Sequence, residues 1–166
     1  MATPLQGRML SDAIAVYVYR RRGGELEFLQ LLRSATTGEY QQSWQVVYGG
    51  IEAGETAVGA AIRELREETG LFPRGMFQVE YLEMFYFQHK DYVTVMPVFG
   101  VEVSVDDAIT LNDEHTASRW IAAAEVAANF MWRSQREAIA VILETLANPG
   151  PALELLTVDL AKHRRG

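Results

Sequence analysis

The sequence predicts one α+β domain, a mixed β-sheet covered by helices. Strand-like and helix-like stretches are interspersed along the chain, and the strand-like stretches form hairpin pairs rather than regular β-α-β units. A chain of 166 residues has the length of one domain with a sizeable core. Its composition, 49% hydrophobic and 22% charged, is typical of a globular protein and not of a disordered one.

The first half of the chain predicts a hairpin, a short strand and a helix. Residues 13–19 are β-branched and aromatic, and residues 26–32 form the returning strand after a turn rich in arginine and glycine. A polar loop follows at 34–43 and a short strand at 44–48. The helix is expected over 55–69, because Gly70 can end it in a left-handed cap.

The second half predicts a longer hairpin and a second helix. The two strands are expected at 77–88 and 92–103, and Pro97 marks an edge or a bulge because proline cannot donate to a sheet. A polar loop, a short strand and one or two helical turns follow, at 105–114, 118–121 and 122–128. Apolar residues recur at helical spacing over 133–147. The domain is therefore expected to span 8–148, with a C-terminal extension at 149–166.

Charge and composition exclude several classes of function. The formal net charge is −7, so nucleic acid and anionic membranes, which attract clusters of Lys and Arg, are not expected partners. The longest apolar stretch, 13–19, is far shorter than the ~20 residues of a membrane span. The chain has no cysteine, which excludes disulfides, Cys-ligated metals and thiol nucleophiles and is compatible with a reducing cytoplasm, where we expect the protein.

The predicted helix 55–69 carries acidic residues in an unfavourable arrangement. At 100° per residue, Glu64, Glu67 and Glu68 share an arc of about 100°. Like charges at this spacing repel, and anions in the last turn oppose the helix dipole. Clustered carboxylates on one face suit Mg²⁺ or Mn²⁺. The alternative is a solvated acidic face that Arg63 and Arg66 partly neutralise.

The segment around this helix resembles a known motif. Residues 49–71 read GGIEAGETAVGAAIRELREETGL, which is similar to the Nudix box at each of its nine fixed positions. Those positions are Gly49, Glu55, Arg63, Glu64, Leu65, Glu67, Glu68, Gly70 and Leu71. The resemblance implies the Nudix hydrolase fold, a mixed sheet between helices. It also implies a site for divalent cations and a diphosphate, in which a bound water attacks phosphorus.

The same resemblance implies roles for individual residues. Glu64 and Glu68 would hold Mg²⁺ (or Mn²⁺), and Glu67 would share a second ion or take a proton from water. Gly49 and Gly50 would turn the backbone toward the ligand. Arg63 is expected to order the loop by pairing with Glu52 or Glu55.

Three shorter stretches are Trp44-Gln45, Glu114-His115 with Arg119-Trp120, and Trp132 followed by Arg136. They resemble one branch of the family, the dihydroneopterin triphosphate and dATP pyrophosphatases. In that branch the acid at the position of Glu114 is a further metal ligand or the base, and the residue at Arg33 contacts phosphate; a plain loop acid and a surface arginine are the alternatives. Aromatic side chains that could stack on a base, or belong to the core, are Tyr48, Tyr81, Phe85, Tyr86 and Phe87. The short segment 89–91 departs from the branch, which has a longer insertion there.

The sequence therefore predicts a Mg²⁺-dependent Nudix hydrolase that cleaves a diphosphate bond in a nucleoside triphosphate or a related nucleotide. The expected partner is a small nucleotide-type molecule. The alternatives are another substrate, such as ADP-ribose or a dinucleoside polyphosphate, and a non-catalytic module that senses a nucleotide. Monomer and homodimer are both left open.

Overall fold

The centre of the sheet is a ten-residue strand, β2 (Ala13–Arg22), whose side chains alternate between two apolar layers. In the computed structural model, which describes residues 8–36 and 40–163, this strand belongs to an eight-stranded mixed sheet. The other strands are β1 (Arg8–Leu10), β3 (Glu25–Arg33), β4 (Trp44–Gln45), β5 (Val47–Gly50), β6 (Gly75–Phe87), β7 (Tyr92–Glu102) and β8 (His115–Ala122). The helices are α1 (Ala57–Thr69), α2 (Val126–Asn129), α3 (Arg133–Ala147) and α4 (Pro151–Leu156).

The sheet is mixed because β7 runs parallel to its neighbours on one side. It pairs with β1 and β2 in parallel and with β6 antiparallel. On the other side of β2, strands β3 and β5 pair with it antiparallel, and β8 pairs with β3. This arrangement confirms the predicted α+β class.

Each face of the sheet packs against a helix, as predicted. Ile14, Val16 and Val18 of β2 face one layer, which includes Leu65 of α1. The intervening residues of β2 face the other layer, which includes Ile139 of α3. Side chains of a strand alternate between its two faces, so a single strand supplies both cores.

Several boundaries differ from those predicted. Helix α1 begins at Ala57 rather than at residue 55, because the Thr56 side chain accepts a hydrogen bond from the Gly59 amide and caps the helix. The predicted strand 44–48 is divided into β4 and β5, which pair with different strands. Strand β8 starts three residues earlier than expected, and β1 was not predicted.

The irregularity predicted at Pro97 is present in the β6–β7 pair. The register shifts between Gln78 and Leu82, and Leu82 is paired with Pro97. Three residues of β6, 79–81, therefore lie opposite one residue of β7, Val98, the pattern of a β-bulge. The proline sits where the ladder is already interrupted.

The described residues after 148 contact the start of β6. Thr157 forms an isolated bridge with Phe77 of β6, and the Val158 amide donates to the Met76 carbonyl at 2.9 Å. Residues 37–39 of the predicted polar loop and 164–166 of the predicted extension lie outside the described residues. Within the described part of the chain, no helix is long and apolar enough to cross a membrane.

Candidate active site

The acidic residues of α1 face strand β5, and a glycine makes their close approach possible. A Cβ atom built on Gly49 would lie 2.0 Å from Cγ of Glu64 and 2.2 Å from its Cδ. Real contacts of a Cβ atom are never so short, so only glycine allows Glu64 to occupy this position. Position 49 therefore needs glycine because any larger residue would collide with the Glu64 side chain.

Arg63 ties the loop before α1 to the helix. Its guanidinium donates to both carboxylate oxygens of Glu55, at 3.0 and 2.9 Å, and to the Gly50 carbonyl at 2.8 Å. The same group donates to Glu64 at 2.8 Å and to Glu67 at 3.1 Å. These hydrogen bonds lower the pKa of Glu55. Of the two partners expected for Arg63, the structure gives it Glu55.

The loop closes further through Glu52, whose amide donates to Glu55 at 3.1 Å. The Glu52 side chain itself is exposed. Gly70 ends α1 with a φ of 69°, and its amide donates to the Arg66 carbonyl. The glycine cap expected there is thus in place.

Glu68 is the most buried carboxylate of the group, at 2% exposure. Its Oε2 atom has no hydrogen-bond partner among the described residues, and Nε2 of His115 lies 3.9 Å from it. Burial raises the pKa of Glu68 to about 9, with the charges of Glu64 and Glu114 adding to the effect. Burial also lowers the pKa of His115, so this histidine adds little positive charge.

Glu114 and Arg33 complete this end of the site. Arg33 ends β3, and its Nη2 atom lies 3.6 Å from Oε2 of Glu114. The Glu114 carbonyl accepts from the Ser34 amide, which holds the loop before β8 against the end of β3. Glu114 is close enough to raise the pKa values of both Glu64 and Glu68. The structure therefore brings Glu114 to the acidic residues of α1, far from it in sequence.

The acidic group fits a divalent cation. It offers carboxylate oxygens, one of them buried without a partner. Burial raises the pKa values of Glu64 and Glu68, and the charges of the neighbouring carboxylates raise them further. As the described side chains lie, no three Asp, Glu or His residues converge on one ion position. Arg63 pairs with Glu64 and Glu67, and Glu67 is 54% exposed.

A cavity of about 400 Å³ connects this acidic end to an aromatic end. Glu64, Glu68, Glu114 and Arg33 line the first, together with Gly49 and Gly50 of β5. The remaining lining residues are Asp12, Ala13, Tyr40, Gln45, Tyr48, Glu83, Phe85, Phe87, Tyr92, Thr94, Met96, Trp132 and Ser134. Glu67 and Glu52 do not line it.

Of the aromatic residues considered for stacking, three line the cavity and two do not. Tyr48, Phe85 and Phe87 are lining residues. Tyr81 instead donates to Glu137 of α3, and Tyr86 is 49% exposed and donates to Asp91. The hydroxyl of Tyr48 donates to Glu83 at 2.6 Å, and this hydrogen bond fixes the position of the Tyr48 ring.

Sequence reasoning missed Glu83, which is 3% exposed in the cavity wall. Alternation along β6 was the available signal, because Glu83 shares its parity with the buried Phe77 and Val79. It also missed Thr94, Ser134 and Tyr40 as lining residues. Nothing in the local sequence indicates that these positions meet.

Residues 9–142 match the family model of the NUDIX domain, which covers most of the chain. The chain therefore belongs to the NUDIX domain family. The predicted family and fold are confirmed.

Three of the proteins that are similar to this chain share between 22% and 32% of its sequence over the matched regions. An octanoyltransferase of Myxococcus xanthus is 32% identical over 115 residues, 65% of this chain, which spans 30% of that relative's length. A binary complex of C. elegans Ap4A hydrolase has a TM-score of 0.69 at 22% identity, covering 83% of this chain and 98% of that one. The dihydroneopterin triphosphate pyrophosphohydrolase of E. coli has a TM-score of 0.62 at 26% identity, covering 81% and 99%.

Proposed function

We propose that this protein is a Mg²⁺-dependent hydrolase that cleaves a diphosphate bond in a nucleoside triphosphate or a related nucleotide. The observation that carries the proposal is the cavity with two chemically different ends. Carboxylates and Arg33 line one end, and aromatic rings line the other. A nucleotide has the same division, with a charged phosphate chain at one end and a flat ring at the other.

At the acidic end, Glu64 and Glu68 would hold the cation, and Glu114 would serve as a further ligand or as the base. Mg²⁺ (or Mn²⁺) held there would supply charge neutralisation for the phosphates and would activate water. Arg33 would contact a phosphate oxygen, since its guanidinium lies at the cavity wall. Arg63, with Glu55, keeps the loop and the Gly50 carbonyl in place.

Between the two candidate bases, the geometry favours Glu114. It lines the cavity and its side chain is 48% exposed, so water can reach it. Glu67 lies outside the cavity and pairs with Arg63. Glu114 would accept the proton of the attacking water while the Glu64 and Glu68 carboxylates remain with the cation.

The experiment is a panel of nucleoside triphosphates, ADP-ribose and dinucleoside polyphosphates, assayed with and without Mg²⁺. We expect metal-dependent turnover, and a fall in kcat/KM of about 100-fold or more for Glu64→Gln with Glu68→Gln. Glu144→Gln, on the exposed side of α3, is the matched control and should keep full activity.

The products separate the alternatives. Pyrophosphate with a monophosphate indicates a triphosphate, two mononucleotides indicate a dinucleoside polyphosphate, and AMP with ribose 5-phosphate indicates ADP-ribose. Nucleotide binding without metal-dependent turnover on any compound would replace the enzyme with a sensing module. Two expectations from the sequence remain predictions: a cytoplasmic location and a domain boundary at residue 148. Monomer and homodimer both remain open.

A further inference from the structure

One face of the β6–β7 hairpin forms the wall of the cavity opposite the acidic end. Three cross-strand pairs lie on it: Phe87 with Tyr92, Phe85 with Thr94, and Glu83 with Met96. All six side chains line the cavity. The aromatic residues are near the tip of the hairpin, and the polar Glu83 and Thr94 lie farther in.

The aromatic part of this wall is closed by two residues from elsewhere in the chain. The Trp132 ring lies 5.4 Å from Phe85 and 5.5 Å from Tyr40, measured between centroids. Phe85 and Phe87 are 5.0 Å apart in an edge-to-face arrangement. Such surfaces favour a flat ring, because aromatic groups attract through offset or edge contacts.

The carboxylate of Glu83 accepts three hydrogen bonds from hydroxyl groups. Tyr48 and Ser134 donate to Oε1 at 2.6 and 2.9 Å, and Tyr17 donates to Oε2 at 2.8 Å. Within the described residues, no Lys, Arg or His pairs with it. A carboxylate has about four acceptor positions, so one remains open, on Oε2.

Thr94 contributes a second unsatisfied group to the same wall. It is 3% exposed, and its Oγ1 atom has no hydrogen-bond partner among the described residues. It is the diagonal cross-strand neighbour of Glu83 on the same face, close enough for one ligand edge to meet both. A buried polar atom without a partner costs free energy, so a ligand that satisfies it gains affinity.

We propose that Glu83 determines substrate specificity by accepting a hydrogen bond from an N–H group on the edge of the substrate's ring, with Thr94 as the second contact. The ring lies against the aromatic wall and turns a donor-bearing edge toward the polar pair. Rings that present only acceptors there are rejected, since they would face a buried carboxylate. This inference rests on the proposed function for the phosphate end of the same cavity.

The test measures binding, so it does not depend on turnover. Calorimetry with Mg²⁺ compares three pairs of nucleoside monophosphates, each with and without methylation of the N–H donor: GMP and 1-methyl-GMP, AMP and N6,N6-dimethyl-AMP, UMP and 3-methyl-UMP. For at least one pair, we expect methylation to weaken binding to the wild type about tenfold or more. In Glu83→Gln the same methylation should change the affinity by less than about threefold.

Two further variants show whether the effect is local. Thr94→Val should weaken binding of the preferred parent compound and leave the thermal midpoint unchanged or higher, because it removes a hydroxyl with no partner in the free protein. Glu80→Gln, exposed on the same strand, is the control and should bind as the wild type does.

Equal effects of methylation on the wild type and Glu83→Gln in all pairs would overturn the inference, as would failure of all three parent compounds to bind. Selective binding without hydrolysis of any substrate would keep the specificity inference and reject the proposed function. Hydrolysis of a substrate, with no change of selectivity in Glu83→Gln, would support the proposed function and overturn the specificity inference.

Discussion

At the scale of single residues, the clearest demand in this site is for glycine at position 49. A side chain there would collide with Glu64, the nearest atom being Cγ at 2.0 Å. We expect Gly49→Ala to displace the Glu64 carboxylate and to lower kcat/KM about 100-fold, because misplacement by about an ångström has effects of that order. The Glu64 side chain can swing aside, so the free energy of unfolding should change little.

The neighbouring glycine is the natural comparison. A Cβ on Gly50 would meet nothing closer than the Asp12 carbonyl oxygen at 3.8 Å, an ordinary contact. Gly50→Ala should therefore weaken Mg²⁺ binding and activity much less than Gly49→Ala. Equal losses in the two variants would mean that backbone flexibility, not the Glu64 contact, is what position 49 requires.

Glu68 predicts how the stability of the metal-free protein depends on pH. Its pKa is about 9 when folded, against an ordinary value of 4.5. Between these values the folded state binds a proton that the unfolded state does not. Stability should therefore fall as the pH rises from about 5 to 9, by at most about 1.4 kcal/mol per pH unit for this group.

Thermal unfolding of the metal-free protein across this range tests the prediction. Glu68→Gln should flatten the profile and raise the midpoint most at high pH, since its side chain stays neutral. Mg²⁺ should stabilise the wild type more at high pH, because it binds the ionised carboxylates. A wild-type profile as flat as that of the variant would show that Glu68 is ionised, or solvated, in the metal-free protein.

At the scale of elements, α1 shows what the sequence could predict. Its last residue, its glycine cap and its carboxylate face follow from periodicity and from a motif in which every residue lies within 23 positions of the others. The Arg63–Glu55 pair spans eight residues and was foreseeable for the same reason. Local spacing is enough when the partners share one loop and one helix.

The polar group around Glu83 could not be predicted in the same way. Its hydroxyl donors Tyr17, Tyr48 and Ser134 are 66, 35 and 51 residues away along the chain. They meet because β6, β7, β2 and β5 lie side by side in the sheet and α3 packs against β6. Alternation could place Glu83 on the inner face of its strand, but only the three-dimensional pairing of strands and helix could supply its partners.

At the scale of the whole molecule, residues 153–160 connect the two apolar layers. Leu153 of α4 packs on the layer that contains α3, whereas Val158 and Leu160 pack on the layer that contains α1. Between them, the segment crosses the start of β6 through Thr157. This part of the chain therefore covers the edge of the sheet beyond the residues that match the family model.

Two leucines of α4 allow a matched test of this role. Leu153 packs against the core, and Leu155, two residues later, is 89% exposed. We expect Leu153→Asp to lower the free energy of unfolding by about 1–3 kcal/mol, because an apolar side chain loses its contacts and a charge takes its place. Leu155→Asp should leave stability unchanged in denaturant titration. If Leu155→Asp instead converts a dimer into monomers in light scattering, the exposed side of α4 is an interface with a second copy, and the segment stabilises the assembly as well as the sheet.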